Sequence, residues 1–309
     1  LQTTMQAIQV HAYGDTDQLA LEVVARPAPQ EGEVLVRVHA AGVNPIDWKV
    51  RQGLRKQLLP MQFPYIPGME IAGVVEEVGV GVTTLQIGQA VYGRSKTGAY
   101  AEYAIAAEQM LAAKPHTVSF DEAATIPVGA TTAWQGLFDA GKLAAGQRVL
   151  IQGAAGGVGL FAVQLASQRG AHVIATTSGA NVEFVRSLGA EVVIDYTTTS
   201  LVDAAQDVDC VFDTVGETLE TSLQVLKRGG ILVALSGQAP AEQARARGVQ
   251  VSATHTLIGS DLLGQLARLV DEGQLRPVIR DTFPLSQISQ AHALGQQGHG
   301  RGRIVLHIA

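Results

Sequence analysis

Residues 148–170, RVLIQGAAGGVGLFAVQLASQRG, constrain this chain more than any other stretch. The run 148–152 is mostly apolar and reads as a buried parallel strand, and apolar residues recur through 160–166 with helical spacing. Between them lies a glycine-rich turn, Ala154-Ala155-Gly156-Gly157-Val158-Gly159, the dinucleotide fingerprint with Ala in place of its first glycine. Each position has a physical task. Gly156 lets backbone approach a pyrophosphate, Gly159 lets helix and strand pack closely, and the N–H groups of the helix start face negative charge. Ala155, Gly156, Gly157 and Val158 are therefore the expected phosphate contacts. A glycine turn alone can be merely tight, but the strand before it and the helix after it supply the context the motif requires.

With 309 residues there is length for two domains, and 47% apolar against 16% charged residues describes a folded globular chain. The 22 basic and 28 acidic residues give a net charge of −6, with no basic-aromatic cluster, which argues against nucleic acid as a partner. The single cysteine, Cys210, sits in an apolar run and reads as a core residue. No charge-free run reaches membrane-spanning length, so a cytoplasmic protein with no membrane partner is expected. Residues 1–4 read as a leader or appended remnant ahead of Met5.

From Met5 to about Ala112 the patterning is strand-like and broken by Gly and Pro, which predicts a compact antiparallel β domain. One short helix interrupts it over 44–53, NPIDWKVRQG. Ser119, Asp121 and Glu122 mark a helix start, and a second helix is expected over 131–138. Strands are expected at 172–177, 191–196, 209–213, 231–235 and 249–254, with helices between them, as in a doubly wound parallel sheet. The fold class is thus α/β, with a β domain over 5–125 completed by the tail 274–309, and a nucleotide domain over 126–273. The second domain is then an insertion in the first, with a cleft between two lobes.

A ribose 2′-hydroxyl is usually held by an acid at the end of the second strand. Here that strand ends in Thr176-Thr177-Ser178-Gly179, and the next acid along the chain is Glu183. Small hydroxyl side chains donate to a 2′-phosphate that a carboxylate would repel, so NADP(H) is the expected cofactor.

The segments GVNPIDWKVRQG, PYIPGMEIAGVVEEVG, AAGGVG, LGAEVVIDY and GRGRIVL occur in this order across nearly the whole chain. Together they resemble the medium-chain dehydrogenase/reductase superfamily, in its zinc-free quinone oxidoreductase branch. The resemblance implies a GroES-like substrate domain, a Rossmann domain, NADPH use, and reduction of quinones or of the C=C bond of enones. Zinc members carry a metal-ligating Cys where this chain has Asn44 and a His where it has Met69, so no metal site is expected. In the family pattern Thr131 faces the nicotinamide, and the loops 213–216 and 235–237, with Val215 and Ser236, line the cofactor. Arg303 resembles the basic residue that reaches the pyrophosphate; it also reads as an edge-strand charge. Quinone reductases of this kind add a Lys on the helix after the second strand and a Tyr after the third. Tyr196 matches the latter, whereas Asn181 stands near where the Lys would be and Arg186 lies one turn further on.

Hydride transfer asks the protein mainly to orient the cofactor and to stabilise an oxyanion on the acceptor. Asn44 is a candidate to hydrogen-bond a carbonyl or the ribose, and Lys49 to present an ammonium to an enolate; Lys49 reads equally as a solvated surface charge. Asp47, between them, is a candidate catalytic residue and equally a helix-start residue. The alternative readings are a crystallin-like or regulatory NADPH-binding protein with little catalysis, and an alcohol dehydrogenase, the latter disfavoured by the absent zinc ligands. The apolar, alternating stretch 249–254 is expected to pair with its copy in a homodimer, as the resemblance also suggests.

Overall fold

A computed structural model describes residues 3–298 and 300–309. Of the expected leader, Leu1 and Gln2 lie outside the described residues, and the first strand already begins at Thr4. The chain divides into two units: residues up to Pro127 with Ile258–Gly273 and Pro277–Ala309, and Val128–Leu257 with Gln274–Arg276.

In the first unit Glu33–Val43 is the central strand, flanked by Arg303–His307 and Glu70–Val78 and also paired with Tyr103–Ala107, all antiparallel. Its inward side chains, Val34, Val36, Val38 and Ala41, are fully buried in a core shared with Ile71, Val91, Tyr100 and Leu306. Arg303–His307 lies between Ile279–Pro284 and Glu33–Val43, so it is an interior strand. The reading of Arg303 as an edge charge is thereby corrected. Asn44 and Pro45 stop the long strand and start the short helix Pro45–Arg51.

The second unit is a six-stranded, all-parallel sheet in the order Val192–Asp195, His172–Thr177, Arg148–Gln152, Val208–Asp213, Leu226–Ala234, Gln250–Ala253. Strand order reverses between Arg148–Gln152 and Val208–Asp213, the switch point at which doubly wound sheets bind ligands beyond their carboxyl ends. Two elements differ from the expected ones by more than two residues at an end. Leu226–Ala234 starts ahead of the predicted 231: Leu226 already pairs with Val208, and after an irregularity that takes in Gly229 and Gly230 the ladder resumes with Ile231 opposite Cys210. The helix expected over 131–138 is an α-helix, Ile126–Trp134, followed by a π-helix, Gln135–Ala140. The wider turn sets Gly136 against the Phe212 ring, which a Cβ there would meet at 2.5 Å.

The helix Ser260–Asp271 groups with the first unit, whereas the sequence placed it at the end of the nucleotide domain. Its polar anchors explain the correction. The Tyr92 hydroxyl donates to the Leu263 carbonyl at 2.7 Å, and the Thr117 amide and hydroxyl both donate to Asp271 at 3.0 Å. Among the described residues no helix is long and apolar enough to cross a membrane.

Candidate active site

The glycine-rich turn is built as its residues require. Gly159 opens the helix Gly159–Gln168, and a Cβ on it would lie 2.2 Å from the Gly153 carbonyl oxygen, so no larger residue lets strand end and helix start meet. At Gly156 an added Cβ would meet only the Gly153 oxygen, at 3.2 Å, leaving its other side open. Ala155 is buried, while Gly156, Gly157 and Val158 are partly exposed, as residues that touch a ligand must be. Thr131 is fully buried and its hydroxyl has no hydrogen-bond partner. An orphaned buried hydroxyl is costly unless a ligand completes it, which fits the role expected of Thr131 beside a nicotinamide.

Thr177 is buried at the end of its strand, with Ser178 and Asn181 beyond it and the Asn181 amide donating to the Ser178 hydroxyl at 3.2 Å. Tyr196 is exposed. Arg186 is ion-paired with Glu183. The parallel register sets Asp195 opposite Thr177, and a Cβ on Gly179 would lie 2.5 Å from the Asp195 carboxylate. The Thr197 hydroxyl and amide and the Gly179 amide hold that carboxyl below its ordinary range. An acid therefore does stand at the second strand's end, delivered by the third strand rather than by the residues next in line.

Further along the same strand ends, Val215 is exposed. Its N–H donates to Asp213 at 2.9 Å, and its carbonyl accepts from the Ser236 hydroxyl at 3.0 Å.

In the first unit a second polar centre surrounds the start of Pro45–Arg51. The Asn44 N–H donates to the Asp47 carboxylate at 2.8 Å, so Asp47 caps the helix. Asp47 is buried, also accepts from the Tyr100 hydroxyl at 2.6 Å, and its carboxyl is pushed up to about 6, chiefly by burial. His292 packs edge-on to Tyr100, its ring nitrogen 3.5 Å from the hydroxyl, and burial lowers it to about 3, so it is neutral. The Asn44 side chain is fully engaged. Its amide donates to Glu70 at 2.8 Å and its carbonyl accepts from Arg303 at 2.8 Å, while Arg303 also bonds Glu70 directly. Arg303, expected at a pyrophosphate, is 4% exposed and turns its Nη2 to Glu70 and Asn44, while its buried Nε has no hydrogen-bond partner. Lys49, two residues past Asp47, is half-exposed on the same helix.

The profile described as "Alcohol dehydrogenase GroES-like domain" matches residues 30–116, and that described as "Zinc-binding dehydrogenase" matches 188–306. The NADPH-dependent alkenal/one oxidoreductase of Arabidopsis thaliana chloroplasts is 35% identical over 98% of this chain and 79% of its own. The chloroplastic quinone-oxidoreductase homolog of Spinacia oleracea is 35% identical over 98% of each. The chain belongs to the medium-chain dehydrogenase/reductase family.

A solved quinone oxidoreductase from Coxiella burnetii superposes with a TM-score of 0.91 at 34% identity, covering 99% of this chain and all of that one. In this medium-chain dehydrogenase/reductase the place where zinc members carry a metal offers an amide, Asn44, and a carboxylate, Glu70, with a guanidinium on both. That donor set lacks the Cys and His ligands zinc takes, and its negative charge is already matched by Arg303, so these residues do not fit the metal. Sequence reasoning missed Glu70, Tyr100, His292 and Asp195 as parts of these sites. Their signals were faint: an acid inside an apolar strand at Glu70, and for Asp195 only its place at the end of the apolar run Val192-Val193-Ile194.

Proposed function

We propose that this protein is an NADPH-dependent, metal-independent reductase that delivers hydride to a quinone or to the C=C bond of an α,β-unsaturated carbonyl. The observation that carries the proposal is the Arg303 guanidinium on Asn44 and Glu70, a fixed internal cation where zinc members hold their metal. Relatives named for alkenal/one and quinone reduction support the substrate class. The residues fit a dinucleotide: the Gly156–Gly159 turn for the pyrophosphate, the orphaned Thr131 hydroxyl and the Val215 side chain for the nicotinamide, and Thr177, Ser178, Asn181 and Tyr196 for the adenosine ribose. When bound, the reduced nicotinamide supplies the hydride.

The chain's own residues divide the remaining work. Asp47 fixes the start of its helix and thereby the position of Lys49, whose ammonium offers charge to the oxygen of an enolate or quinol. Asn44 orients Arg303 and Glu70 rather than offering its amide freely to substrate. Solvent supplies the proton. At the ribose, Ser178 and Asn181 favour a 2′-phosphate and the Asp195 carboxylate opposes one, so preference for NADPH over NADH is moderate.

The test is oxidation of reduced nicotinamide by the purified protein, followed by absorbance, against a benzoquinone, a naphthoquinone and an open-chain enone. NADPH consumption above that of NADH, unchanged by a chelator, is expected. Tight NADPH binding with no turnover on any acceptor would refute the reductase, and loss of turnover with chelator would refute metal independence.

A further inference from the structure

One buried carboxylate in the second unit has no place in the chemistry above. Asp213 closes Val208–Asp213, is 0% exposed, and accepts four hydrogen bonds, all from uncharged donors. Its Oδ1 takes the Val215 N–H at 2.9 Å and the Gly216 N–H at 2.8 Å; its Oδ2 takes the Thr218 hydroxyl at 2.7 Å and the Ser222 hydroxyl at 3.2 Å. The Ser222 oxygen accepts from the Gln152 amide at 2.7 Å, and the Gln152 carbonyl oxygen accepts from the Thr176 hydroxyl at 3.2 Å. All three side chains are buried. Thr176 in turn meets the glycine-rich turn, its carbonyl accepting from the Ala154 N–H at 3.0 Å and its hydroxyl from the Gly153 N–H at 3.4 Å.

Every side-chain hydrogen in this chain points the same way, from Thr176 through Gln152 and Ser222 to Asp213. The direction is set by the terminal group, whose two oxygens act as acceptors in all four of their bonds. Three strand ends and the loop after Asp213 are joined by it, and Ser236 adds a fourth strand end through the Val215 carbonyl. We propose that Asp213 is the positioning residue of the nucleotide site, fixing by its polarity both the Val215 loop and, through Gln152 and Thr176, the glycine-rich turn. The inference rests on the reading of that turn as a nucleotide cradle.

Asp213→Asn keeps size and shape and breaks the polarity. With Oδ1 still facing the Val215 and Gly216 amides, the new NH2 points at the Ser222 oxygen, which Gln152 already serves. Thr218, which is partly exposed, loses the same acceptor and turns its hydroxyl hydrogen to solvent in either background; of the buried hydroxyls, one is left without an acceptor however the Gln152 amide turns, at Ser222 or at Thr176. Combining it with Gln152→Glu restores a consistent chain of opposite sense, in which a carboxylate at position 152 accepts from both hydroxyls and the amide at position 213 donates to Ser222.

The experiment is a double-mutant cycle of wild type, D213N, Q152E and D213N/Q152E, reading NADPH Kd by titration, acceptor KM by kinetics, and Tm. In the wild-type background D213N is expected to raise NADPH Kd about tenfold, the scale of one buried unpaired polar group, with acceptor KM unchanged. In the Q152E background the same substitution is expected to change Kd by less than about twofold, the coupling that such cycles isolate. Equal effects in both backgrounds overturn the polarity, and a fall in Tm with NADPH Kd unmoved overturns the positioning role. A wild type that binds no NADPH overturns the nucleotide reading instead, and the polarity is then judged on the same cycle in Tm. Should D213N not fold, Ser222→Ala cuts the chain at its middle and is expected to raise NADPH Kd about threefold; an unchanged Kd overturns the proposal.

Discussion

Asp47 shows how one buried acid ties local structure to pH. Burial lifts its carboxyl from 3.8 to about 6, so the folded state binds this proton more tightly than the unfolded chain does. Its contribution is therefore favourable below about pH 4 and lost as pH rises through 6, amounting to about 3 kcal/mol across the window. Asp47→Asn retains an oxygen for the Asn44 N–H and removes the titration. The variant's Tm relative to wild type is expected to rise between pH 4 and pH 6, and a difference that stays flat over that range would contradict the assignment. The cap itself was legible, because an Asn-Pro pair followed by an acid at the third helical position names a helix start. The partner of Glu70 was not. Arg303 lies 233 positions away, and nothing in local patterning connects an acid in one strand to a base in another so distant. Asp195 escaped for a similar reason, since a search along the chain for the next acid cannot see a neighbour supplied by parallel register.

Secondary-structure elements were the most readable level. The strand His172–Thr177 and the turn around Gly156 follow from apolar runs and from glycine, whose effects are local. The π-helix Gln135–Ala140 was not readable, because its residues are ordinary helix formers apart from Gly136, and the wider turn answers to the packing of Phe212. Two glycines in one turn predict separable phenotypes. Gly159→Ala drives a Cβ to 2.2 Å from a backbone oxygen and is expected to cost about 1–3 kcal/mol of stability in denaturant melts. Gly156→Ala meets only one atom, at 3.2 Å, so stability is expected to hold while NADPH affinity falls about tenfold through crowding of the pyrophosphate. Equal losses of stability in the two variants would show that the turn has a purely structural role.

At the scale of the molecule, Ser260–Asp271 groups with the first unit and Gln274–Arg276 with the second, the reverse of the expected assignment. The amphipathic pattern of Ser260–Asp271 says that the helix has an apolar face, and only the polar anchors Tyr92 and Thr117 say which unit that face belongs to. Gln250–Ala253 is the edge of the parallel sheet, with its outer ladder unpaired among the described residues. Edge strands of this kind invite a second copy. Light scattering is expected to give a dimer of the 32.4 kDa chain for wild type and a monomer for Val251→Lys; a monomeric wild type removes the pairing.

The arrangement of the first unit also sets an order of events during synthesis. Glu33–Val43 and Glu70–Val78 leave the ribosome well before Arg303–His307, so Glu70, destined for a fully buried place, is made long before the cation that neutralises it. The second unit is nearly continuous in sequence, Val128–Leu257, and needs only three later residues. A nascent chain can therefore complete its parallel sheet while the β unit still waits for its Arg303 strand with an open strand position, the exposure that chaperones guard. Chains stalled through an appended linker, so that residue 280 has just left the exit tunnel, should accordingly show a protease-resistant second unit and a first unit that remains cleavable until the Arg303 strand emerges.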